Sequence, residues 1–260
     1  MKEFRHNETC MGTVFQFFGR SELTADQVAT AIAESVAKLH EADNLFSRYK
    51  PDSALSRLAR GEVQIADLPP VVEYIWDECE RWQEVTDGWF NAMDPANTFD
   101  PSGLVKAWAT ELAGVKLEEL GITDFAINAG GDIRLSKYIS SGLPKRIGLA
   151  KPISIAADDF SALTLLDLNN SDYFAVATSG IAERGEHIWI PQRRSTGIQQ
   201  VTVVAKEIIT ADVFATAAFA AGDQTGALLT KHEGELEALV IDLNGNTFAT
   251  KGFAALVSPV

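Results

Sequence analysis

Residues 104–132 read LVKAWATELAGVKLEELGITDFAINAGGD, and the chain changes character inside this stretch. From Leu104 to Leu120 the pattern predicts a helix, stopped by Gly121. A short apolar strand follows at residues 125–127, then paired glycines. Upstream the sequence reads mainly as helices. Downstream it reads mainly as strands. That segregation predicts an α+β fold rather than the regular alternation of a doubly wound sheet.

Working outward, residues 24–46 predict an amphipathic helix. It opens on a capping-box pattern, Thr24 with Gln27, and its apolar stripe is Val28, Ile32, Val36, Leu39 and Phe46. Pro69 and Pro70 open a second helix with Val72, Ile75, Trp76, Cys79 and Trp82 on one face, ending near Asp87-Gly88. Ahead of both, residues 11–19 (MGTVFQFFG) read as a strand. Beyond Gly131, strands are expected at residues 146–149, 162–168, 174–178, 187–190 and 200–205. Helices follow at 211–221 and 225–232. A last pair of strands, 238–242 and 247–250, is joined by Asn244-Gly245, the strongest local hairpin signal in the chain.

The whole chain has 260 residues, 22 Lys and Arg against 36 Asp and Glu, and a net charge of −14. An apolar share of 46% excludes disorder. The acidic balance argues against nucleic acid, whose binding rests on neutralising phosphates, and against an anionic membrane surface. No uncharged apolar run reaches the ~20 residues that span a bilayer, so membrane insertion is not expected. The opening MKEFRHNETC carries no apolar leader segment. Cys10 and Cys79 form neither a disulfide framework nor a zinc pattern and read as two buried thiols. A cytoplasmic protein of one domain, residues 1–260, is expected.

Three stretches offer chemistry. Asn128-Ala129-Gly130-Gly131-Asp132 suits a close approach of backbone to ligand, or simply a hairpin turn. On residues 210–216, Asp212 and Thr216 share one helix face and present hard oxygens suited to Mg²⁺. A helix cap at Thr210 with Asp212 on the macrodipole explains the same residues. Residues 100–106 form a loop entering a helix, a place that presents free N–H groups. His40 and His232 read as surface residues, and nothing local makes His187 catalytic.

Taken in order, MGT, LFSRYKPDSALSRLARGE, DG-F with a following DP, FDPSGLVKAWA, INAGGDIR, VATSGIAERGEHI and ITADVFATAAF resemble the ApbE family of flavin transferases, from Met11 to about Ala221. The resemblance implies an α+β fold of internally related α/β units with flavin bound between them. It implies a Mg²⁺-dependent FAD:protein FMN transferase. Such an enzyme cleaves FAD and attaches FMN by a phosphoester to a Thr or Ser of a target flavoprotein, releasing AMP. An FAD pyrophosphatase, or a flavin-binding protein without turnover, are the alternatives. By the same resemblance Asp212, Thr216 and the carbonyl of Val105 are metal ligands. His187 is the base, and Met11, Ser47, Tyr49, Lys106, Asp132, Thr178 and Ser179 line the FAD pocket, with Tyr49 packing on the flavin nucleotide.

Four departures from the family pattern stand out. Ile190 replaces an aspartate, and Ala182 replaces a tyrosine. Ser102-Gly103 stands for paired glycines, with Ala107 after Lys106. Between Pro95 and Asp100 the chain skips about 50 residues that fuller members carry, far more than a surface loop.

Overall fold

Strand β1 (Lys2–Cys10) runs into β2 (Thr13–Ser21) through a two-residue turn in which Met11 has φ 49° and Gly12 φ 70°. Left-handed backbone at both turn positions is the type I′ geometry that matches strand twist. The pairing is regular, from Lys2 opposite Ser21 to Cys10 opposite Thr13. The expected strand at 11–19 is therefore β2, shifted by two residues, and β1 is an addition.

The computed structural model describes residues 1–138, 145–152, 162–181 and 196–258, which fall into two compact units, Met1–Gly142 and Leu143–Val260. In the first unit, the helices lie between β2 and the next strand. Helix α1 (Ala25–Phe46) carries the capping box, with the Gln27 amide donating to Thr24 Oγ1 at 3.3 Å and the Thr24 amide to Gln27 Oε1 at 2.9 Å. Its Ile32, Leu39 and Phe46 are buried, each stabilising by roughly 1.5–3 kcal/mol. Helix α2 (Ala54–Ala59) is short and capped by Ser53. Helix α3 (Pro70–Val85) buries Val72, Ile75, Cys79 and Trp82, the expected face. Helix α4 (Ser102–Glu119) packs on α1. Strands β3 (Asp124–Ala129) and β4 (Asp132–Leu135) then close an antiparallel sheet in the order β1-β2-β3-β4.

The second unit repeats that plan. Strands β5 (Arg146–Ala150) and β6 (Ala162–Asp167) make a small sheet. Strands β7 (Ala175–Gly180) and β8 (Ile198–Ala205) pair antiparallel. Two helices, α5 (Ile208–Ala221) and α6 (Thr225–Lys231), follow, and β9 (Leu236–Asp242) and β10 (Thr247–Ala249) complete the order β7-β8-β9-β10. A final turn of helix, α7 (Phe253–Leu256), leads to β11 (Val257–Ser258) beside β6. Apart from the small sheet of β5, β6 and β11 and the turn of α7, each unit runs strand, strand, helices, strand, strand, which is the internally related α+β arrangement expected. The Asn244-Gly245 hairpin is present, Thr247 facing Ile241. The strand expected at 187–190 lies outside the described residues.

One expected helix start moves. Thr210 does not cap α5; the cap position is Glu207, and Thr210 is inside the first turn.

Candidate active site

Two predicted pocket residues of the first unit meet across 26 positions. Asp132 opens β4 directly after the left-handed Gly130 and Gly131, at φ 65° and 103°, and its carboxylate, 1% exposed, accepts a hydrogen bond from Lys106 Nζ on α4. The hairpin reading of the GGD stretch is realised. The glycines make the turn, and the turn delivers a buried carboxylate to the Lys106 ammonium, which gives it a hydrogen-bond partner. Val105 stands beside Lys106 in the first turn of α4, where Ser102–Val105 is helix and not loop. Its carbonyl serves the helix ladder and has one lone pair to offer elsewhere.

Ser47 ends α1 as its C-cap. Its carbonyl accepts Ser53 Oγ at 2.6 Å and Ser56 Oγ at 3.2 Å, and its Oγ accepts the Tyr49 amide at 3.3 Å. Serines thus wire the whole LFSRYKPDS segment to itself. Tyr49 is 96% exposed. Its ring is an open aromatic face. Met11 sits at the β1–β2 turn in a left-handed conformation that costs a non-glycine residue free energy.

In the second unit, α5 is apolar on every side, with eleven of its 14 residues buried. Asp212, 5% exposed, is its one carboxylate. Thr216 lies one turn on along the same face, its Oγ1 3.4 Å from Ser179 Oγ on β7. Thr178 turns the other way and pairs with Thr202, Oγ1 to Oγ1 at 2.9 Å. Asp212, Thr216 and Ser179 therefore form one group of oxygens, whereas Thr178 belongs to the opposite face of β7. His187, Ala182 and Ile190 lie outside the described residues.

Among the described residues no three His, Cys, Asp or Glu side chains are arranged to hold a metal. A cation at Asp212 would rest on one carboxylate and on hydroxyl, carbonyl or ligand oxygens. This suits Mg²⁺, which keeps waters and takes substrate phosphates, and suits zinc poorly. Asp212 and Thr216 fit.

The two histidines depart from their surface reading, whereas Cys10 and Cys79 are buried free thiols as expected. His40 is half-buried, its Nδ1 3.6 Å from Cys10 Sγ and its Nε2 3.0 Å from Glu8. His232 stacks on Phe214, ring centres 4.7 Å apart. The Cys10 thiol is pushed up to about 11, chiefly by burial and then by Asp43, and burial takes Cys79 to about 12. Neither is a nucleophile at neutral pH. Sequence reasoning missed Arg134, buried on β4 between Glu111 and Glu118 of α4. It also missed Arg48, which holds Asp94 and Asp100. The Asp-Pro pairs at 94–95 and 100–101 were the available signal.

Asp212 and Thr216 on α5, with Ser179 on β7, thus present oxygen donors inside a fold built from two similar α+β units. The family model of the ApbE family matches residues 11–98 and 92–240, and the chain belongs to that family. A FAD:protein FMN transferase of Vibrio cholerae is 30% identical over 141 residues, 49% of this chain and 40% of that protein. One from Haemophilus influenzae is 27% identical over 167 residues, 60% of this chain and 46% of that protein. These matches span less than half of either relative. Among solved structures, the ApbE protein of Thermotoga maritima shares the fold at TM-score 0.80 and 18% identity, over 99% of this chain and 100% of that one. The flavin transferase ApbE of Vibrio cholerae does so at 0.77 and 21%, over 98% and 99%.

Proposed function

We propose that the chain is a Mg²⁺-dependent FAD:protein FMN transferase. An acceptor Thr or Ser hydroxyl attacks the FMN phosphorus of FAD, the pyrophosphate bond breaks, and AMP leaves. The carrying observation is the buried Asp212 with Thr216 on the otherwise apolar α5, beside Ser179 of β7, in an ApbE family member. Asp212 and Thr216 hold the metal. Bound there, Mg²⁺ would supply positive charge to the pyrophosphate, which an acidic protein otherwise lacks. His187 takes the proton of the acceptor hydroxyl, a task that imidazole suits near neutral pH. The exposed face of Tyr49 packs on the flavin nucleotide, and Met11 and Ser47 line the same pocket. Lys106 holds Asp132 in place through their hydrogen bond. Ser179 adds a hydroxyl from β7 beside Thr216, whereas Thr178 faces away and pairs with Thr202. On this reading residues 1–260 act as one catalytic domain with FAD and a flavoprotein acceptor as partners. Two buried free thiols favour a reducing cytoplasm. Among the described residues no helix is long and apolar enough to cross a membrane.

The test is mass spectrometry after incubation of the chain with FAD, Mg²⁺ and a threonine-bearing flavoprotein. An FMN adduct on the acceptor with stoichiometric AMP is expected. AMP without adduct would reassign the chain as a hydrolase of FAD, and intact FAD would remove catalysis altogether.

A further inference from the structure

Arg48 stands between Ser47 and Tyr49, and its guanidinium gathers two aspartates from later in the unit. Nη1 donates to Asp100 Oδ2 at 2.6 Å and Nη2 to Asp94 Oδ2 at 3.2 Å. Each carboxylate is also committed to backbone. Asp94 Oδ1 accepts the amides of Ala96 and Thr98, each at 2.9 Å, closing a loop in which Asn97 is left-handed at φ 60°. Asp100 Oδ1 accepts the Ser102 amide at 3.1 Å, at the start of α4. One planar fork therefore joins the SRY segment, the shortened 94–98 loop and the first turn of the helix that carries Lys106. Both aspartates are largely shielded, at 8% and 12% side-chain exposure. The Thr98 amide does most to hold Asp94 below the usual carboxylate range, against the effect of burial, with Ala96 and Arg48 adding to it.

Tyr49 is 96% exposed, so the point from which its ring projects is set by the backbone on which it stands. We propose that Arg48 is a positioning residue for FAD: it fixes the backbone that presents Ser47 and Tyr49, and it acts through Tyr49 rather than by touching the nucleotide. The inference rests on the proposed function. A fork that bonds two carboxylates at once fixes geometry as a lysine point charge cannot.

The experiment is a double-mutant cycle on the full chain, reading FAD affinity by flavin fluorescence at a temperature where every variant is folded. Tyr49→Ala should weaken FAD by about threefold to tenfold, the scale of an aromatic stacking contact. Arg48→Lys should weaken it similarly, and the double variant should be no weaker than Tyr49→Ala alone. Asp94→Asn loosens the clamp from its other end, and its smaller loss should also vanish in the Tyr49→Ala background. Additive losses, or unchanged affinity in Arg48→Lys, overturn the Arg48 assignment and leave the transferase reading standing. Failure of the unmodified chain to bind FAD overturns both.

Discussion

Replacing Arg134 by methionine should unfold the first unit far more easily, and the size of the effect follows from its surroundings. The Arg134 side chain is 1% exposed. Its guanidinium donates to Glu111 at 2.9 and 3.2 Å and to Glu118 at 3.2, 3.2 and 3.3 Å. Methionine fills much of the volume but leaves two shielded carboxylates facing each other. Breaking a buried charge network from one side costs about 3–5 kcal/mol. At about 2–4 °C per kcal/mol for a chain of this size, Tm should fall by roughly 6–20 °C. Replacing both glutamates by leucine in the same variant should recover most of the loss, since an apolar substitute for the whole network is nearly neutral.

The pH dependence carries a sign. Burial pushes the Glu111 carboxyl up, but the hydrogen bonds and charge of Arg134, joined by Lys137, hold it below the ordinary value. The stability this contributes is complete above the unfolded pKa and is lost as pH falls through the lower folded one. Without Arg134, burial dominates, the folded pKa rises above the unfolded one, and acidification from about pH 7 towards 4 should stabilise the variant. Thermal unfolding by circular dichroism across that range is the assay. A Tm loss under about 3 °C, or a variant that weakens on acidification in parallel with the unmodified chain, would refute the reasoning.

Gly114→Ala, normally a gain inside a helix, should here destabilise by roughly 1–3 kcal/mol in urea unfolding, because the new Cβ runs into the Arg134 guanidinium. Met11→Asn should stabilise the β1–β2 turn by up to ~1 kcal/mol, since asparagine tolerates left-handed backbone, while weakening FAD in a binding titration. Asp212→Asn should lower FAD cleavage by ~10²-fold or more and erase its Mg²⁺ dependence; equal turnover of the unmodified chain in EDTA and in Mg²⁺ would sink the metal assignment.

Elements that announce themselves locally were legible in the sequence. Helix α1 carries its own start signal in Thr24 and Gln27, and α3 has Pro70 at its first position with apolar residues at helical spacing. Strand β1 was not legible. Its half-buried inward positions include His6 and Glu8, partnered by polar groups rather than by apolar core, so alternation is present without hydrophobic contrast. Helix α2 is too short for a periodic signal and exists through the Ser53 cap. The start of α5 was misplaced because a helix buried all round has no stripe to mark its first turn. Asp212 and Thr216 could be paired by spacing alone. The Lys106–Asp132 contact and the Arg48 clamp could not, since their partners are 26, 46 and 52 residues apart.

Helix α5 has no wet side on which to absorb an error of phase. One inserted residue ahead of Asp212 would turn the rest of the helix by about 100°. On a surface helix such a slip exchanges one solvated side chain for another. Here it would drive the carboxylate into the layer of alanines and phenylalanines and bring a methyl group to Ser179. The length of the link between β8 and Asp212 is therefore as much a part of the site as the aspartate itself.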